Sequence, residues 1–351
     1  MLAGCSGPQP QPSRSPEEIR AQIVRSMPTN VPDRAGWASD IQAAFAALRI
    51  EASTQNLCAA MAIAEQESSF HVETAVPGMG KSALAEIDRR AAEHHIPQFL
   101  VHAALLIKSP NGKRYAERLA AAHSEEDLSN TYEDFIGSVP LGKRLFAGDN
   151  PIHTVGPMQV SVAFAEQYAK SHSYPYPLMG SIRHELNTRR GGVYFGIAHL
   201  LGYSASYPLL LYRFADYNAG FYASRNAAFQ QAVSIASGIP LAFDGDVVSY
   251  GRGLTGTTEA AVRSLSGNIA LSDAQIHRTL EQGEGADFED SALYARVFAL
   301  AEQRAHKPLP RAILPRIELE SPKITHNLTT AWFAKHVDEK YRRCMARAVV
   351  R

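Results

Sequence analysis

The sequence predicts a mainly α-helical protein. Apolar residues recur at three- and four-residue intervals through most of the chain, sustained two-residue alternation is scarce, and good N-cap residues precede several of the periodic stretches. Trp37, Ile41, Phe45 and Leu48 mark a first amphipathic helix. A second starts after Ser53 or Thr54 and runs through Leu57, Met61 and Ala64 toward Phe70. Ser82 to Ile107 reads as one or two helices broken at His95-Ile96-Pro97, and further helices are expected around 113–123, 161–171, 182–202, 208–216, 222–236, 272–282, 289–305 and 327–347. The exception is Ala242 to Tyr250, expected to form a short hairpin around Asp244-Gly245-Asp246. Pro308, Pro310, Pro315 and Pro322 force an extended segment that wraps the core before the last helix returns.

The chain has 351 residues, with 35 Lys and Arg balanced by 35 Asp and Glu, so it lacks the basic excess expected of a nucleic-acid binder. No apolar run approaches the roughly 18 residues that span a bilayer. His94-His95 and His184-Glu185 are adjacent pairs that do not face one site on a helix, and no H-E-x-x-H or C-x-x-C spacing occurs, so neither a metal nor a cofactor is expected. Arg189-Arg190 and Lys340 with Arg342-Arg343 read as solvated faces.

The opening Leu2-Ala3-Gly4-Cys5 resembles the lipobox of bacterial lipoproteins, and the Pro-rich stretch after it reads as a tether, so residues 1–30 are taken as anchor and tether. The alternative is a disordered start with an accidental match. The lipobox reading implies lipid on Cys5, membrane contact only through that lipid, and a place in the bacterial envelope, facing the periplasm from the outer membrane. Cys58 and Cys344 then remain as an even pair in an oxidising compartment, expected as a disulfide tying the last helix to the core, with two buried thiols as the alternative.

Ala60, Ala64 and Glu67 share a helix face beside Leu57 and Met61. A carboxyl at the edge of such a face loses hydration, which raises its pKa and suits it to act as a general acid. Glu65, on a different face, is expected to be solvated. Gln66-Glu67-Ser68-Ser69-Phe70 then resembles the E-S-x-F motif of the soluble lytic transglycosylases, and Gly156-Pro157-Met158-Gln159-Val160 is similar to their G-L-M-Q segment. Asn187, Gly191, Tyr194 and Phe195 follow the spacing of their N-x-x-x-G-x-x-Y-L helix, Tyr217-Asn218-Ala219-Gly220 resembles A-Y-N-A-G with Asp216 in place of its first Ala, and all four come in the family's order. Phe288 to Tyr294 vaguely resembles the family's late F-x-E-T-x-x-Y helix.

The resemblance implies a lysozyme-like core over residues 31–236, a helical insertion at about 80–152 and a C-terminal extension over 237–351 packing on the core. The insertion accounts for the 88 residues between Glu67 and Gly156, where typical members have a single loop. The implied substrate is peptidoglycan, cut at its N-acetylmuramic acid–N-acetylglucosamine bond to leave a 1,6-anhydro end, with Glu67 as the one catalytic acid and base. Ser68 would orient Glu67 or donate to the glycan, and Met158 and Gln159 would line the cleft. Tyr217 and Asn218 would face Glu67, the phenol holding its protonated form, and Tyr294 would approach from the opposite wall. The Asn187–Phe195 helix is structural, its glycines allowing close packing.

Two alternatives stand beside this reading. One is a non-catalytic, glycan-binding or scaffolding lipoprotein that keeps the cleft. The other is a hydrolytic muramidase, which needs a second carboxylate, for which Asp216 is best placed. Ala75 to Ser82 satisfies a relaxed phosphate-loop pattern, but neither a buried parallel strand before it nor βα units after it support nucleotide binding.

Overall fold

Leu57 to Ala64 are all buried, and four of these eight residues are alanine. A helix apolar on every side must be surrounded by other elements, and small side chains let those neighbours come close. The computed structural model describes residues 14–72, 78–93, 95–138, 153–178, 180–248, 256–319 and 328–349. Among them it is mainly helical, with 17 α-helices and four two-residue strands.

In chain order the helices are α1 (Pro16–Ser26), α2 (Arg34–Leu48), α3 (Thr54–Ser68), α4 (Met79–Glu93), α5 (Gln98–Leu105), α6 (Tyr115–Ala120) and α7 (Glu125–Ser138). There follow α8 (Val162–Ser171), α9 (Ile182–Asn187), α10 (Arg189–Leu201), α11 (Leu210–Ala219) and α12 (Ala223–Ser237). The chain finishes with α13 (Thr257–Arg263), α14 (Ser266–Ile269), α15 (Asp273–Leu280), α16 (Ala292–Ala305) and α17 (Thr330–Val349). Strands β1 (Thr154–Val155) and β2 (Val160–Ser161) pair antiparallel around the Gly156–Gln159 turn, and β3 (Glu318–Leu319) pairs with β4 (Leu328–Thr329).

Three apolar clusters organise these elements. The first is built on α1, α2, α3, α10, α11 and α17, and includes Trp37, Phe45, Met61, Phe195, Phe214 and Val337. Phe70 closes it at the end of α3, edge-on to Trp37 with ring centroids 5.1 Å apart. The second joins α12 to α13–α16 around Phe229, Val262, Ile276, Phe288 and Phe298. The third belongs to the segment between α3 and β1 and gathers Met79, Leu105, Tyr115, Leu119 and Leu128. The last helix leaves the second cluster and returns to the first, where Cys344 is joined to Cys58 of α3 in a disulfide.

Several sequence expectations need correction. Residues 16–26, read as tether, are helical: Ser15 and Glu18 form a reciprocal capping box, and the helix buries Ile23 beside Met27. No hairpin forms in the described part of 242–250; the buried Gln230 amide instead receives Gly245 N–H and donates to Asp244 and to the Asp246 carbonyl, replacing a partner strand. The helix expected over 182–202 is broken at Thr188, whose extended backbone and side-chain cap to Gly191 start α10 afresh. Helices α7, α13 and α14 were not foreseen. Cys5 and Ala75-Val76-Pro77 lie outside the described residues.

Candidate functional site

Glu67 occupies the last turn of α3, half-buried, just before Ser69 and Phe70, which both take left-handed backbone (φ 52° and 62°). The buried Phe70 ring anchors this reversal, which ends the helix and sets Glu67 at the rim of the first core.

The Gly156–Gln159 turn is held against α9 and α10. Gly156 has φ 78°, and a Cβ there would lie 1.9 Å from the Leu186 carbonyl oxygen, so only glycine fits. Gly196 of α10 leaves space for Met158, whose sulfur would stand 2.5 Å from an added Cβ. The glycine-bearing helix and the turn are therefore a packing pair.

Tyr217, in the last turns of α11, fastens that helix to this turn. Its hydroxyl donates to the Met158 carbonyl at 2.6 Å. Burial, reinforced by the negative charge of Glu67, pushes the phenol well above its ordinary range, so it stays a neutral donor. Beside it, Asn218 is exposed and its Oδ1 accepts from Thr330 Oγ1 at 3.0 Å, linking the end of α11 to the start of α17.

Helix α17 packs on α3. Lys340 Nζ donates to Gln66 Oε1 at 2.7 Å, and the ammonium feels the charges of Glu65 and Glu67 while burial lowers its affinity for a proton. Arg343 pairs with Glu65 at 3.2 Å while staying exposed, as Arg342 does, so of the α17 cations expected on a solvated face only Lys340 is drawn into the packing. Arg189 and Arg190 are likewise engaged, the first with Asp33 and Asp40, the second with the fully buried Glu185 at 2.6 Å. Glu185 also accepts from Tyr174 at 2.8 Å.

The remaining candidates sit differently from their expected roles. Ser68 turns its hydroxyl back to the Ala64 carbonyl at 3.1 Å and is 8% exposed, so it presents no donor to a glycan. The Met158 side chain is core, and it is its main-chain carbonyl that meets the site. Gln159 braces its own turn, donating to the Gly156 carbonyl and accepting from Thr154, both at 3.2 Å. Tyr294 packs on Phe229, Phe288 and Phe298 in the second core instead of facing Glu67. Asp216 is sealed in, accepting from Tyr207 at 2.6 Å, Tyr203 at 3.1 Å and Ser224 N–H at 2.7 Å. Its carboxyl is raised by burial, with those hydrogen bonds opposing, and it offers no second carboxylate to a cleft. A cavity of about 540 Å³ lies between the end of α8 and the following loop, lined by Lys170, His172, Tyr174 and Tyr176, and none of the site residues lines it.

Two contributors escaped the sequence reading. His199 of α10 packs its ring on Phe164, Tyr217 and Phe221 at 4.7–4.9 Å, and burial lowers it to about 4, so it is neutral at neutral pH. Lys340 had a signal: it lies four residues before Cys344 on one helix face, so a bond from Cys344 to α3 carries Lys340 to α3 as well. Among the described residues no group of three or more His, Cys, Asp or Glu is arranged to hold a metal, and no helix is long and apolar enough to cross a membrane.

Residues 30–347 match the family model described as "Protein of unknown function (DUF1615)". The chain is also 52% identical over 348 residues to the "Uncharacterized protein YaiW" of Escherichia coli (strain K12), covering 98% of this chain and 95% of that protein. No solved structure matches. The chain belongs to the DUF1615 family.

Proposed function

We propose that this DUF1615 protein is an envelope lipoprotein with a lysozyme-like core that cleaves peptidoglycan as a lytic transglycosylase, with Glu67 as its acid and base. The observation that carries the reading is the meeting of three motifs far apart in the chain: the charge of Glu67 acts on the Tyr217 phenol, and that phenol is bonded to the Met158 carbonyl.

In the proposed reaction Glu67, protonated, gives its proton to the glycosidic oxygen as the bond from that oxygen to the muramyl C1 breaks. The resulting carboxylate takes the proton of the muramyl C6 hydroxyl as O6 bonds to C1, closing the 1,6-anhydro ring and restoring the acid. The nucleophile is already part of the sugar, so its effective concentration is high and no second carboxylate has to hold a water. The sealed position of Asp216 fits this one-acid scheme better than the hydrolytic one. With its own proton spent on Met158, the Tyr217 oxygen is left as an acceptor, suited to a protonated carboxyl. Lys340 favours the carboxylate that Glu67 becomes after donation.

The Ser68 hydroxyl, turned back to the Ala64 carbonyl, and the Met158 side chain, in the core, favour a second reading, a glycan-binding scaffold without turnover. Digestion of purified sacculi followed by product mass decides: anhydro-muramyl ends are expected, reducing ends would point to hydrolysis, and binding without release would establish the scaffold.

A further inference from the structure

Within twelve residues five large apolar side chains stand in solvent: Ile96 (43% exposed), Phe99 (70%), Leu100 (50%), Leu106 (55%) and Ile107 (52%). Helix α5 is held to the third core by Leu105 and Val101, which leaves its other side outward. Single exposed apolar residues are ordinary, but a contiguous group of this size marks a surface that meets something.

The charges around it say what. Between Glu93 and Glu117 the sequence holds no Asp or Glu, while Lys108, Lys113 and Arg114 directly follow the apolar run. A tight turn folds these cations back beside it: Ser109 N–H donates to the Lys113 carbonyl at 2.8 Å, and Tyr115 N–H to the Ile107 carbonyl at 3.2 Å. All three cations are exposed. Asp88 of α4 is already engaged by Gln98 and His102 of α5. An exposed apolar face with three exposed cations beside it, outnumbering the nearby carboxylates of Asp88 and of Glu117, which accepts from Arg114 N–H at 2.9 Å, matches the boundary between lipid headgroups and acyl chains.

We infer that α5 and the turn after it form a docking surface for an anionic phospholipid bilayer. Phe99, Leu100, Leu106 and Ile107 enter the headgroup boundary, and Lys108, Lys113 and Arg114 pair with lipid phosphates. The surface is independent of Glu67 and of any lipid on Cys5.

The test uses the full chain carrying Cys5→Ser, so that no covalent lipid contributes, sedimented with vesicles of phosphatidylcholine alone or mixed with phosphatidylglycerol. Binding to the mixed vesicles is expected to exceed that to phosphatidylcholine by at least about tenfold. Phe99→Ser with Ile107→Ser is expected to weaken it by at least about tenfold. Lys108→Gln, Lys113→Gln and Arg114→Gln together are expected to abolish the preference for phosphatidylglycerol. These positions are exposed, so thermal unfolding should match the parent chain. Failure of the parent chain to bind vesicles overturns the inference, as does binding that neither set of substitutions alters. Concentration-dependent dimerisation abolished by the Phe99 and Ile107 changes, without vesicle binding, would assign the surface to self-association instead.

Discussion

The hydroxyl of Tyr217 donates to the main-chain carbonyl of Met158 at 2.6 Å, fastening the end of α11 to the turn between β1 and β2. Removing the hydroxyl strands a carbonyl in a dry environment. Tyr217→Phe is therefore expected to cost about 1–3 kcal/mol, read from urea unfolding. It should also lower the rate of anhydro-product release. Unchanged stability would show that the bond contributes nothing to holding the turn.

Glu67→Gln keeps the shape of the side chain and removes its acid. Turnover on sacculi is expected to fall by at least about a hundredfold, the usual scale for a lost general acid, with the unfolding transition unmoved. A rate equal to that of the parent chain removes Glu67 from the chemistry.

Lys340→Met deletes a positive charge that acts on Glu67. A carboxyl that loses a nearby cation holds its proton to higher pH. The basic limb of the pH–rate profile is thus expected to move upward, while Lys340→Arg should restore it. A uniform loss of rate with an unshifted profile would reduce Lys340 to packing.

The Cys58–Cys344 bond closes a sequence separation of 286 residues and ties α17 to α3. Reduction, or Cys344→Ala, is expected to cost about 4 kcal/mol, the upper part of the range for long loops. Because α17 also bears Thr330 and Lys340, activity should fall with it. Alkylation of both thiols in protein taken from an oxidising compartment would contradict the bond.

His199 sets a pH dependence of stability. Its proton affinity falls from about 6.5 unfolded to about 4 folded. Below pH 6.5 the unfolded chain binds the extra proton, so the stability held at neutral pH is lost as the pH falls from 6.5 toward 4 and then levels off. The loss is at most about 3 kcal/mol, less to the extent that the ring edge meets water. His199→Phe should flatten urea-unfolding midpoints over that window.

Helices with strong periodicity were legible along the chain: Trp37, Ile41 and Phe45 are buried on α2, and α16 and α17 lie within a few residues of their expected spans. Helix α1 was missed because prolines up to Pro16 overshadowed the Ser15–Glu18 cap, although proline is well suited to a first helical turn. In the candidate site the order of the motifs was legible and the bonding was not: Tyr217, its phenol raised by burial and by the charge of Glu67, gives its proton to the Met158 carbonyl. Ser68, Met158 and Gln159 spend their side chains on local bonds or core packing, a competition that a motif does not reveal.

Helical periods, caps, the pairing partners available to cysteine and the order of the motifs are local properties, and they could be read residue by residue. Which hydroxyl meets which carbonyl depends on how the helices cross, and that depends on side-chain volumes at positions distant in sequence, such as Gly196 against Met158. For the same reason Lys340 meets Gln66, 274 positions before it and next to Glu67, only once α17 has packed on α3, because apolar burial, not sequence proximity, draws those two helices together.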